Sequence, residues 1–158
     1  MEKVFYHISK DLIMGQDLEP RRPRFIMDRL ENGEIERLCV SSTVEGCLTS
    51  IPGGGSFLDE TLWRLHNCVK LFKIDTDKIG YNPKFIVTSD TLYRDELVWD
   101  ADITKEHWLM NPVTLPDEDV TIISILDYDM RAQDLYTHEF EEAYLNNPAY
   151  EDKDITDL

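Results

Sequence analysis

Three observations predict an α+β fold built mainly from antiparallel strands. Segments rich in β-branched and aromatic residues recur at 4–9, 36–41, 69–74, 85–89, 106–113 and 120–126. Apolar residues at helical spacing are fewer, at 43–51, 58–67 and 132–145, and do not alternate regularly with the strands, which argues against a doubly wound parallel sheet. The length, 158 residues, suffices for one domain with a real core and is short for two. The reading is therefore a single domain over residues 1–148, its late helix packed outside, followed by an acidic tail at 149–158.

In the first strand Val4, Tyr6 and Ile8 point one way and Phe5, His7 and Ser9 the other, because side chains alternate. His7 is accordingly expected to leave the apolar face. The loop Pro20-Arg21-Arg22-Pro23-Arg24 is the one basic cluster of the chain. Next, the strand at 36–41 runs straight into a helix. Ser42 with Glu45 three residues on has the pattern of a capping box, and Val44, Cys47, Leu48 and Ile51 recur at helical spacing. Pro52-Gly53-Gly54-Gly55 stops that run, and it lacks the lysine of a phosphate-binding loop and the spacing of a dinucleotide fingerprint. Leu58, Leu62 and Leu65 keep helical register. In the late helix Ala132, Leu135, Tyr136, Phe140, Ala143 and Tyr144 form the stripe, and Asn146-Asn147-Pro148 ends it.

Charge restricts the partners. The net charge is −16, and residues 117–158 hold 13 acids against only Arg131 and Lys153. Such a surface repels nucleic acid and membrane, so neither is an expected direct partner. It suits a basic partner protein, whose nucleic-acid groove an acidic mimic would occupy, or it serves solubility alone. No apolar run approaches the roughly 20 residues needed to span a bilayer. The start, Met1-Glu2-Lys3-Val4, lacks the apolar core of a signal peptide, and three cysteines, Cys39, Cys47 and Cys68, match no disulfide framework. A reducing, cytoplasmic location is expected. No metal is expected either. Asp75-Thr76-Asp77 with Gly80 puts Ile79 and Ile86 where a calcium loop needs carboxylates, and His66 with Cys68 has no partner pair.

Three segments read together carry a resemblance: Tyr6-His7-Ile8-Ser9, Cys39-Val40-Ser41 entering a helix, and Glu106-His107-Trp108-Leu109-Met110-Asn111-Pro112-Val113. Their order resembles that of small ADP-ribosyltransferase-like proteins of bacteria and their phages, over roughly residues 4–113. The resemblance implies a single ADP-ribosyltransferase-like domain of split, mainly antiparallel sheets with flanking helices. It also implies NAD as substrate, and in a phage protein a target within host defence.

The same resemblance assigns site residues. His7 takes the place that hydrogen-bonds the ribose and adenine side of NAD, work that suits an imidazole with one donor and one acceptor. Ser9 shares its strand face, and Ser41 and Ser42 put hydroxyls and backbone N–H groups at a strand–helix junction where a phosphate or amide can sit. Arg21, Arg22 and Arg24 can grip a pyrophosphate through bidentate bonds. Glu106 is the catalytic carboxylate, holding the ribose 2′-hydroxyl and the cationic sugar that forms as nicotinamide leaves. Asp100 and Asp102 are nearby substitutes. His7, Ser41 or Ser42, and Glu106 are expected to line one cleft.

Plainer readings stand beside each: a structural histidine, a buried strand–helix corner, arginines paired with surface acids, and a strand-end glutamate. The chain also departs from the active enzymes. Val40-Ser41-Ser42-Thr43 contains no aromatic to pack on nicotinamide, and the residue two before Glu106 is Thr104, where arginine-specific enzymes carry an acid or amide. Transfer of ADP-ribose from NAD to a macromolecule is the expected function, with non-catalytic acidic inhibition of a host defence protein and capture of a nucleotide signal without turnover as the alternatives.

Overall fold

The computed structural model describes residues 1–9, 11–13, 15–22, 32–49 and 68–127. The expected helices at 58–67 and 132–145, Arg24 and the acidic tail lie outside the described residues. What is described is mixed α+β, with a mostly antiparallel six-stranded sheet, a two-stranded ribbon and few helices. The strands are β1 (Val4–Ser9), β2 (Asp17–Leu18), β3 (Leu38–Ser41), β4 (Cys68–Asp75), β5 (Ile86–Val87), β6 (Glu106–Leu109), β7 (Val113–Thr114) and β8 (Val120–Ser124). The helices are α1 (Val44–Thr49), α2 (Ser89–Arg94) and α3 (Ala101–Thr104). The large sheet has the order β5-β6-β3-β1-β4-β8, and β2 pairs with β7.

The sheet is apolar on both faces, and this decides where side chains go. On one face Phe5, Leu38, Val40, Phe72, Ile74 and Leu109 pack with Leu18, Val113 and Leu115 of the ribbon and its flank. On the other, Val44 and Leu48 of α1 cover Val69 and Leu71, with Tyr6 and Ile8 beside them. Leu92 and Ala101 of α2 and α3 cover Trp108 and Cys39. His7 therefore does not leave an apolar face. It shares its side of β1 with fully buried Phe5, and its ring lies 5.7 Å from that of Phe72.

Several expected strands are shorter than the sequence pattern implied, each for a local reason. The segment at 106–113 divides because Pro112 has no N–H to give a ladder. Met110 N donates to Phe85 O and Asn111 N to the Tyr81 hydroxyl, and Val113 then joins the ribbon. The segment at 85–89 keeps only Ile86–Val87. Phe85 belongs to a 3-10 turn capped by Asn82, and Thr88 caps α2 by accepting from Thr91 N. Beyond Ser124 the chain turns into a 3-10 segment, Ile125–Asp127. Among the described residues no helix is long and apolar enough to cross a membrane.

Candidate functional site

Among the described residues, β1 pairs with β4 along its whole length but with β3 at a single position, Tyr6 opposite Ser41. One residue past that pair the main-chain ladder gives way to a side chain: His7 Nδ1 lies 2.8 Å from Cys39 O. A carbonyl only accepts, so Nδ1 carries the hydrogen and Nε2 is left as an acceptor. Burial pushes the imidazole below its usual pKa. The Cys39 carbonyl pulls the other way, and the positive charge of Arg21 lowers it further. His7 is thus a neutral, oriented acceptor at neutral pH, and Nε2 has no hydrogen-bond partner among the described residues.

Arg21 reaches this end of the sheet through its backbone, which exchanges two 3.0 Å hydrogen bonds with Arg37, the residue before β3. Its side chain is exposed, as is that of Arg22, which lies 3.9 Å from Glu34. Ser9 closes β1, and its hydroxyl accepts from Asp11 N at 3.1 Å. His7 and Ser9 thus share one face towards the end of β1, and the charge of Arg21 is felt at His7.

Ser41 and Glu106 form a second group. They are Cα partners across β3 and β6, and Tyr6 stands opposite Ser41 on β1. Partners across an antiparallel pair share a face, so Tyr6, Ser41 and Glu106 face one way and His7 the other. Two contacts agree with that register. His107, next to Glu106, touches Phe5 with ring centroids 4.8 Å apart, on the His7 side. The Glu106 carboxylate instead accepts from Trp108 Nε1 at 2.8 Å, under the helices. The expected convergence of His7 and Glu106 on one cleft does not occur, because alternation places them on opposite faces.

Ser41 is 1% exposed, and its hydroxyl donates to Thr104 O at 2.7 Å while accepting from Thr43 N. Ser42 N donates to Lys105 O at 3.4 Å. The helix cap falls one residue later than the sequence pattern indicated: Thr43 Oγ1, not Ser42, accepts from Gly46 N at 2.9 Å. Cys47 is sealed on this face, its thiol donating to Tyr6 O. Burial, with the charges of Glu106 and Glu45 adding, pushes its pKa up to about 12. It is no nucleophile at neutral pH.

The sequence reading did not connect Arg37 with Trp108. Arg37 is 1% exposed and sets its guanidinium 4.3 Å from the centre of the Trp108 ring, and the same indole binds Glu106. The alternation Glu106-His107-Trp108 was the available signal, since it aligns acid and indole on one face. Among the described residues no group of three or more His, Cys, Asp or Glu could hold a metal ion. Compared with protein-family models, curated proteins and solved structures, the chain matches none.

Proposed function

We propose that this chain captures NAD or a related nucleotide on an ADP-ribosyltransferase-like scaffold, without transferring ADP-ribose. The observation that carries the reading is the break between β1 and β3 at His7, whose Nδ1 is held by Cys39 O and whose Nε2 is an acceptor near Arg21. An acceptor of this kind suits a ribose hydroxyl or the adenine amino group, and an arginine suits phosphate. The strands bearing the three segments lie side by side as β6-β3-β1, which supports this reading. Transfer would need the Glu106 carboxylate at the same ribose as His7. Its opposite facing, its bond to Trp108 and its 8% exposure favour a binding role for the fold instead.

Calorimetry with NAD, paired with chromatography for released nicotinamide, tests this. Binding without release is the expected result, and His7→Ala should weaken it. Release that disappears in Glu106→Gln would restore the transferase reading, and no binding would end both.

The net charge of −16 favours a second reading, in which the acidic surface occupies a basic groove of a host defence protein. Such association must weaken steeply with salt and be competed by duplex DNA, since both ligands satisfy the same cations. Salt-independent association would exclude the mimic.

A further inference from the structure

β8 ends the large sheet on one side, and among the described residues it pairs only with β4. The Val120 N–H turns back to Asp117 O, so the open edge begins after it, at Thr121-Ile122-Ile123. This stretch is β-branched throughout and carries neither charge nor proline. Ile122 is 57% exposed and Thr121 is exposed too, so solvent reaches the strand from both faces. Soluble proteins usually blunt such an edge with lysine, proline or a bulge, because its unpaired N–H and C=O groups are a template for another strand. Here charge stands at the ends of the strand instead, and it has one sign. Asp117, Glu118 and Asp119 form the turn before β8, and Asp127 lies in the turn after it. Among the described residues Lys78 is the cation paired with them, 3.1 Å from Glu118 and 2.8 Å from Asp119. Lys70, opposite Ile122, lies one strand further in.

We propose that the β8 edge takes up an extended, positively charged peptide segment of a partner protein as one further strand. Main-chain hydrogen bonds along Thr121-Ile122-Ile123 supply the pairing, Ile122 adds an apolar contact on one face, and the acids at both ends select basic residues flanking the paired stretch. A second copy of this chain fits poorly. Antiparallel pairing centred on Ile122 would bring the Asp117 end of each copy against the Asp127 end of the other, with a net charge of −16 on each molecule. The edge lies two strands from β1 and His7, and it stands independently of nucleotide capture. It also differs from occupation of a basic groove, because here the main chain does the holding and charge only selects.

The test is calorimetry of the full chain at low ionic strength with three capped peptides. One alternates threonine and valine between lysines at each end, and the second has glutamates in their place. The third is the lysine peptide with every backbone amide methylated. The lysine peptide should bind roughly tenfold or more tightly than the glutamate peptide, and the margin should shrink with added salt. The methylated peptide keeps the charges and loses the donors, so it should not bind. Ile122→Lys changes an exposed position and should weaken the lysine peptide roughly tenfold or more, with an unchanged circular dichroism spectrum. Asp117→Asn combined with Asp127→Asn should narrow the preference for lysine. No binding of the lysine peptide, or equally tight binding of the methylated one, would overturn strand addition on the unmodified chain alone. Equal binding of the lysine and glutamate peptides would overturn the basic partner, and unchanged binding by Ile122→Lys would place the peptide elsewhere. Sedimentation showing a dimer that Ile122→Lys dissociates would give the edge to a second copy and overturn the proposal as well.

Discussion

Trp108 Nε1 donates to the Glu106 carboxylate at 2.8 Å, inside a layer that α2 and α3 close over. The Arg37 guanidinium lies over the same indole, so the buried ring meets a cation on its face and an acid at its edge. A buried indole N–H left without an acceptor costs about 1–3 kcal/mol. Glu106→Ala should therefore destabilise the fold by at least that order, whereas Glu106→Gln keeps a carbonyl oxygen and should cost clearly less. Denaturant titration of the two variants measures the difference. Equal losses would mean that the Trp108 bond is not what Glu106 contributes.

Gly46 lets α1 approach β3. A Cβ built at this position would fall well inside contact distance of the Ser41 hydroxyl and of the Thr104 carbonyl, and the carbonyl is backbone that cannot swing away. Gly46→Ala should cost about 1–3 kcal/mol, the usual range for overpacking, despite the better helix propensity of alanine. A denaturation midpoint equal to or above that of the parent would show that α1 can shift outward freely.

β1 was legible because its aromatic and β-branched residues are continuous, and the structure keeps its bounds at Val4–Ser9. The centre of β4 was legible for the same reason. The two-residue strand β2 was not, since it exists by pairing with β7 and carries almost no pattern of its own, whereas β5 was expected over 85–89 and persists only as the two residues that pair with β6. Helices α2 and α3 have only six and four residues, too few for a helical period to emerge. The facing of His7 was misjudged for a different reason. Alternation tells inside from outside only when one face is wet, and this sheet is packed on both. Likewise, adjacent Ser42 and Thr43 offer the same hydroxyl, and only the backbone path decides that Thr43 caps.

Acid should weaken the fold through two histidines. Burial is the first cause that lowers the pKa of both His7 and His107. For His107 the Lys105 carbonyl and the charges of Glu2 and Asp90 oppose it, and the Lys105 ammonium adds to it. A histidine depressed below its unfolded value of 6.5 binds fewer protons when folded, so stability rises with pH across that window. The contribution is fully present above 6.5 and is lost as pH falls from there towards the folded pKa. Denaturation followed from about pH 8 to about pH 5.5 should show this decline. His107→Gln should flatten it. An unchanged slope in that variant would leave the acid sensitivity to His7, and an unchanged slope in the double variant with His7→Gln would assign it to carboxylates instead.

If the chain captures NAD as proposed, the same protonation should act on that binding with a separate signature. With Nδ1 committed to Cys39 O, Nε2 is the only ring atom of His7 able to meet a ligand, and it accepts only while the ring is neutral. Gaining a proton turns that acceptor into a donor and adds positive charge beside Arg21, whose field already disfavours it. NAD affinity should hold steady at and above neutral pH and then fall once the pH is well below 6.5, because the folded pKa is lowered from that value. His7→Gln supplies an amide oxygen that accepts at every pH, so this variant should bind NAD more weakly but with a flat profile. Titrations of both proteins at matched ionic strength, over a range where circular dichroism shows them folded, separate this effect from acid unfolding. A profile for His7→Gln that bends at the same pH as the parent would show that a different group controls the site, and the imidazole would then be only the clasp between β1 and β3.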